Sequence, residues 1–162
     1  MIPDPDQDGP AAFAAIELRQ RLRSLVVGQT EAFDLLHGWF GARSSFAASI
    51  TRGAGRLPMI ATLLADVAWT NGIKSGHDGR MPPTAPEADA VRRVYREHTN
   101  SRRRPTMEPE QRDAVVAYLD ALLAVVGECC KLDEHAPSAT LCTEARRFVT
   151  DFTKVREATV AA

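Results

Sequence analysis

The sequence lacks the patterns that mark β-strands, membrane spans and repeat arrays. It has no run of alternating β-branched residues bounded by turn residues, so no β-sheet is predicted. Its most apolar run, from Ala114 to Val126, is interrupted by Asp120 and is shorter than the ~20 residues that cross a bilayer. No internal repeat is visible. These absences favour an all-α protein, and no membrane partner is expected.

Cysteine is scarce, with only Cys129, Cys130 and Cys142 in the whole chain. An odd number of cysteines inside predicted helices does not suit a disulfide framework, so we expect reduced, buried thiols in a reducing compartment. A zinc site that uses these cysteines with His135 is disfavoured, because adjacent cysteines on a helix point about 100° apart. The sequence therefore predicts no metal site and no cofactor.

Net charge is nearly absent, at -1 for 162 residues, but the charges are unevenly placed. The first ten residues, MIPDPDQDGP, are acidic and proline-rich, whereas bases gather at 92–104. That start is opposite to the basic and apolar pattern of a secretion signal, which makes a cytoplasmic location the expectation. Residues 1–9 are expected to form a flexible arm, and residues 10–162 a helical bundle domain.

Helical periodicity of apolar residues predicts an all-α, single-domain bundle of five to six helices with short connections. A chain of this length is expected to build one core. The longest region of turn-forming residues, 71–83, is predicted to be a loop. The predicted helices cover 10–27, 30–50, 58–69, 84–98, 109–131 and a final segment after Pro137.

Particular residues set the expected helix ends and faces. Gly28 is expected to end the first helix, and Arg19 to face outward from it. The sequence RGAGR at 52–56 is expected to form a turn, with a phosphate-binding turn as the alternative, before a new helix begins at Pro58. His37 lies within an apolar stripe and is expected to be a core histidine. The section from Val115 to Val126 is apolar nearly all round, which predicts a central helix.

The stretch from Val91 to Pro105, VRRVYREHTNSRRRP, concentrates six arginines around His98. A ribonuclease without a metal needs a base for the ribose 2′-hydroxyl, an acid for the leaving oxygen and a cation for the phosphorane. Histidine can serve the first two roles, and arginine the third through forked hydrogen bonds to phosphate oxygens. Arg93 and His98 point about 140° apart on a regular helix, so they converge only if the helix ends near His98 or a second subunit completes the cleft.

These residues resemble the motif of the HEPN superfamily, whose ribonuclease members carry an arginine, about four to six residues and then a histidine before a turn and a long helix. Here the motif runs from Arg93 to His98, the turn is TNSRRRP, and the long helix starts at Pro109. The resemblance implies a metal-independent endoribonuclease of the toxin-antitoxin or antiviral defence type, often a homodimer with two facing Arg-His pairs. Other members of that superfamily only bind RNA or protein partners. The catalytic residues implied are Arg93 and His98.

The remaining arginines of the stretch are expected to contact phosphates, a role that their charge supports without any family resemblance. They are Arg92, Arg96, Arg102, Arg103 and Arg104.

Three other interpretations of the sequence remain open. The basic stretch can be a solvated helix end whose arginines complement the helix dipole. The protein can be a non-enzymatic helical adaptor or regulatory protein that acts through protein contacts on an exposed apolar stripe. A metal hydrolase built on His77 and Asp78, similar to the His-Asp pair of HD phosphohydrolases, is less favoured, because here the pair is flanked by glycines.

Overall fold

The computed structural model describes residues 9–41, 45–70, 108–132 and 138–161. These residues form five helices: α1 Pro10–Ser24, α2 Val26–Phe40, α3 Ser45–Thr70, α4 Pro109–Cys129 and α5 Ser138–Ala161. The predicted loop at 71–83 and helix at 84–98 lie outside the described residues, as does the predicted arm at 1–9 except for Gly9, which precedes α1. The last two predicted helices are confirmed in α4 and α5.

All five helices bury apolar side chains in one continuous core. The most extensive contacts join α4 with α5, α1 with α3, and α3 with α5. Leu18 and Leu22 of α1, Leu64 of α3, Leu122 of α4 and Phe148 of α5 all belong to this core. The prediction of an all-α, single-domain bundle is confirmed.

The first two helices are separated by one residue, Leu25, and not by Gly28, so the predicted helix end was wrong. Leu25 has φ -89° and ψ -6°, and its N–H donates to the carbonyl of Leu22 at 3.1 Å. Its own carbonyl accepts a hydrogen bond from the Tyr118 hydroxyl of α4 at 3.2 Å. The contact with α4 thus falls at the break between the two helices, and Gly28 lies inside α2.

The second helix ends earlier than predicted, at Phe40. Gly41 follows it with φ 62° and ψ 174°, a positive-φ conformation that glycine adopts without a steric penalty. Its N–H donates to the carbonyl of His37 at 2.8 Å and so satisfies one carbonyl of the last turn. Gly41, which lies inside the helix predicted at 30–50, therefore ends α2.

The third helix runs without interruption through RGAGR and through Pro58, so the predicted turn at 52–56 was wrong. The phosphate-binding turn is excluded with it, because a helical backbone uses its N–H groups internally. Proline inside a helix costs about 3 kcal/mol. The apolar stripe that offsets this cost has a regular three- and four-residue spacing across the disputed segment: Ile50, Gly53, Ala54, Leu57, Ile60, Ala61, Leu64, Val67 and Ala68.

Close packing of α3 against α5 depends on Gly53. A Cβ atom added to Gly53 would overlap the Phe152 ring. Phe152 also stacks on Phe148, with ring centroids 4.4 Å apart, and meets Phe33 of α2 edge to face at 5.4 Å. Three helices therefore converge on the Phe152 ring, and the bare backbone at Gly53 sets how near α3 can come.

Two polar residues of the interior show how position on a helix decides burial. Arg19 is only 1% exposed, so the prediction that it faces outward was wrong. It follows Ala15 by four residues and precedes Leu22 by three, which places it on the buried stripe of α1. His37 is 3% exposed, which confirms its assignment to the core.

The fourth helix is not buried all round, contrary to the prediction of a central helix. It buries Val115, Leu119, Leu122 and Val126 on one face. The opposite face exposes Ala114, Ala117, Ala121 and Ala124. Alanine has an apolar side chain, but it favours helices whether or not it is buried. A count of apolar residues therefore predicted more buried surface on α4 than the structure has.

We expect Gly53→Ala to lower the free energy of unfolding by about 2 kcal/mol, because its Cβ collides with a ring that is held by two other aromatic contacts. Gly55→Ala is the matched control on the same helix. A Cβ there meets nothing within 4 Å, so the gain in helix propensity should stabilise the protein by up to about 1 kcal/mol. Urea unfolding of both variants measures the difference. Equal stabilisation by the two substitutions would contradict the close approach.

Candidate functional site

The catalytic and RNA-binding residues predicted from the sequence all lie in the segment between α3 and α4. Arg93 and His98, and all five arginines assigned to phosphate contacts, lie within 71–107, outside the described residues. His77 and Asp78 lie there as well. The convergence of Arg93 and His98 on one cleft therefore stays a prediction.

A groove of about 420 Å³ lies between α3 and α5 and is lined mainly by arginines. Arg52 and Arg56 are four residues apart on α3, a spacing that places both on one helix face. Along α5, polar residues recur at three- and four-residue spacing and form the opposite wall. The lining residues are Arg52, Arg56, Thr143, Arg146, Arg147, Thr150 and Asp151.

Arg56 occupies the centre of an ion-pair network that joins the two helices. Its Nη1 donates to Asp151 Oδ2 at 2.9 Å, and its Nε lies 3.5 Å from Glu144 Oε2. The same two carboxylates serve a second arginine each. Arg52 Nη2 lies 3.7 Å from Asp151 Oδ2, and Arg147 Nη1 donates to Glu144 Oε1 at 3.1 Å. Two carboxylates are thus shared among three guanidinium groups.

The charges of the groove leave an excess of positive charge. Three of the arginines that line it, Arg52, Arg56 and Arg147, are paired with only two carboxylates, those of Glu144 and Asp151. Arg56 is recessed, with 17% of its side chain exposed, whereas the side chains of Arg52 and Arg147 are 52% and 60% exposed. Exposed guanidinium groups beside a recessed one can bind an anion through charge-assisted hydrogen bonds.

This groove could not be predicted from the sequence, for two reasons. The assignment of 52–56 to a turn hid the four-residue spacing of Arg52 and Arg56, which is informative only on a helix. In addition, nothing in the sequence paired α5 with α3. A reading of α3 as one continuous helix would have revealed the spacing, but only the tertiary contact brings the two basic faces together.

A second groove, of about 310 Å³, lies between α2 and α4 and has a mostly apolar lining. The apolar part of the lining comes from Ala32 and Leu35 of α2 and from α4. Exposed polar residues at the rim complete it: Glu31, Glu110 and Gln111. Burial raises the pKa of Tyr118 above its ordinary value. The phenol is therefore kept protonated well above physiological pH, and it donates a hydrogen bond to the carbonyl of Leu25.

All three cysteines carry free thiols, in agreement with the sequence prediction. Cys129 and Cys142 are buried, whereas Cys130 is half-buried. Cys142 Sγ lies 3.4 Å from the carbonyl oxygen of Cys129 and 3.3 Å from that of Leu132, so it fastens α5 to the end of α4. Within the described ranges, no group of three or more His, Cys, Asp or Glu residues is arranged to hold a metal ion.

Comparison of the chain with protein-family models, with curated proteins and with solved structures finds no match. The resemblance to the HEPN superfamily accordingly rests on the residues from Arg93 onward and stays a prediction. In the part of the chain that the structure describes, every helix lacks the combination of length and apolar character that a bilayer span requires.

We expect Cys129 to resist alkylation in the folded protein and the protein to lose stability at high pH. Burial, assisted by the neighbouring Cys130, Cys142 and Glu128, raises the pKa of Cys129 from 9.0 to about 12. Above pH 9 the thiol of the unfolded chain therefore ionises while that of the folded chain does not, so this contribution to stability is lost between pH 9 and about 12.

Urea unfolding at a series of pH values measures this loss. Tyr118 contributes in the same direction, because burial raises its pKa too. The Cys129→Ala variant is the comparison, since it should lose less stability over this pH range than the natural protein. Identical pH dependence in the two proteins, or rapid alkylation of native Cys129 at pH 8, would contradict the assignment.

Proposed function

We propose that the protein acts on RNA through the basic stretch from Val91 to Pro105, between α3 and α4. The observation that carries the proposal is the concentration of six arginines around a single histidine in a chain whose net charge is -1. Phosphate contacts from arginine supply most of the affinity of such segments for nucleic acid. The arginine-lined groove of α3 and α5 supports the proposal, because it adds a second excess of guanidinium groups to the same protein.

The finer proposal is a metal-independent endoribonuclease that uses Arg93 and His98. His98 takes the proton from the ribose 2′-hydroxyl, whose oxygen attacks the phosphorus as the bond to the 5′-oxygen breaks. An imidazolium then protonates the leaving 5′-oxygen, and Arg93 binds the phosphorane oxygens. Two copies of the chain with facing pairs would supply base and acid together, as the resemblance to defence-type HEPN ribonucleases implies.

The alternative proposal is a non-enzymatic adaptor or regulatory protein that binds a protein partner. The apolar lining of the groove between α2 and α4 favours it. Salt separates the two proposals. Binding of RNA through arginines should weaken steeply between low and moderate salt, whereas binding through an apolar surface should respond little.

We expect His98→Ala to abolish RNA cleavage while RNA binding and the unfolding midpoint stay close to those of the natural protein, because the imidazole supplies proton transfer and little affinity. Cleavage of a labelled RNA, with and without EDTA, measures this effect. EDTA should leave the natural activity unchanged, since no metal takes part in the mechanism. Undiminished cleavage by His98→Ala would exclude the ribonuclease proposal and leave RNA binding alone.

Replacement of Arg102, Arg103 and Arg104 by alanine should weaken RNA binding with little loss of stability. Surface substitutions usually change stability by no more than about 0.5 kcal/mol. The slope of log affinity against log salt should shrink by about 0.7 for each phosphate contact removed from a single strand. Fluorescence anisotropy over a salt series measures both quantities.

The matched control removes the same amount of positive charge elsewhere. Arg112, Lys131 and Arg156 lie outside both the basic stretch and the arginine-lined groove. Their replacement by alanine should alter the binding curve much less. Equal loss in the two triple variants would mean that only total charge matters, and the stretch from Val91 to Pro105 would not be the binding segment.

A further inference from the structure

We propose that the arginine-lined groove between α3 and α5 binds the phosphodiester backbone of single-stranded RNA. None of the residues that form this site belongs to the stretch from Val91 to Pro105. The identification of the bound polyanion as RNA rests on the proposed function. The groove would hold the strand, while the basic stretch acts on it.

The charge arrangement of the groove calls for an external anion. Asp151 and Glu144 each lie near two arginines, and Arg56 is common to both pairs. Arg52, Arg56 and Arg147 therefore share two carboxylates, so one positive charge remains in excess within this network. A phosphate that approaches the exposed ends of Arg52 and Arg147 reduces the mutual repulsion of these groups.

The shape of the groove favours a single nucleic acid strand over a flat or bulky anion. Arg56 is recessed at the floor, whereas Arg52 and Arg147 project from opposite walls. A bilayer surface cannot enter a concavity of about 420 Å³ that lies between two helices. A flexible strand can place a phosphate between the walls, where planar guanidinium groups form forked hydrogen bonds to its oxygens.

The lining of the groove also determines what is recognised. Seven residues form it, and all are arginine, threonine or aspartate, so the described wall offers no aromatic ring on which a base can stack. Contacts to phosphates carry no sequence information. The groove should therefore bind RNA without sequence preference and with strong salt dependence, in contrast to platforms that stack bases.

The groove is held in shape before any ligand arrives. Gly53, the residue after Arg52, packs against Phe152, the residue after Asp151. This contact fixes α3 against α5 directly beside the groove. The ion pairs of Arg56 with Asp151 and Glu144 join the same two helices. Because the binding side chains sit on packed helices, the backbone of the groove need not rearrange when a strand is bound.

The test uses the double variant Arg52→Ala with Arg147→Ala, which removes the two exposed arginines and keeps the recessed Arg56. The probe is a fluorescein-labelled, single-stranded RNA of mixed sequence, titrated over a salt series. We expect roughly tenfold weaker binding and a salt slope smaller by about 0.7 for each arginine removed. Each single variant should give about half of the change in slope. Circular dichroism and urea unfolding should match the natural protein.

The control is Lys131→Ala with Arg156→Ala, which removes two positive charges from outside the groove. The proposal is overturned if the groove variant binds RNA like the natural protein, or if the control weakens binding equally. It is also overturned if polyglutamate displaces the RNA as well as an unlabelled RNA of equal charge does, because the groove would then be a general anion site.

The result also separates this inference from the proposed function. Loss of binding in the Arg102, Arg103 and Arg104 variant, but not in the groove variant, would retain the proposed function and remove the groove. The opposite result is loss of RNA binding in the groove variant alone, while substitutions in the basic stretch change neither binding nor cleavage. It would support the groove and exclude the proposed role of that stretch.

Discussion

The contact between the Phe152 ring and the bare backbone of Gly53 is the constraint on which the rest of this structure depends. Helices with side chains at their crossing point are separated by those side chains, whereas a glycine lets an aromatic ring approach the backbone itself. Phe33 and Phe148 hold that ring from two other directions, so α2, α3 and α5 are packed through one residue. The residues beside the contact, Arg52 on one helix and Asp151 on the other, become neighbours because the helices are so close.

Electrostatics and packing therefore act at the same helix pair. Arg56 bridges Asp151 and Glu144 of α5, and this bridge stabilises the close helix approach that Gly53 allows. The same approach also gathers more guanidinium groups than two carboxylates can neutralise. In the proposed complex, an RNA phosphate would supply the opposite charge that the two carboxylates do not.

Much of the fold could be predicted from the sequence, but the helix boundaries could not. Periodicity indicated the all-α class, α4 and α5, and the burial of His37. The predictions at Gly28, RGAGR and Pro58 failed because local propensity was overridden by tertiary contacts, such as that of Tyr118 with Leu25. The charge of Arg19 predicted an outward-facing side chain, but its position lies on the buried stripe of α1. The basic stretch around His98 was recognisable from composition alone, whereas the groove required residues about a hundred positions apart to meet.

The sequence by itself determined that this chain is helical and that its arginines are concentrated around His98, because periodicity and composition are local properties. Only the tertiary structure decided that RGAGR continues a helix and that Arg52 and Arg56 face Arg147 across a groove. The physical reason is that a stripe of small residues has no favoured partner until another helix presents a complementary surface. Gly53 is unfavourable in an isolated helix, and it becomes favourable only when the Phe152 ring fills the space that its missing side chain leaves.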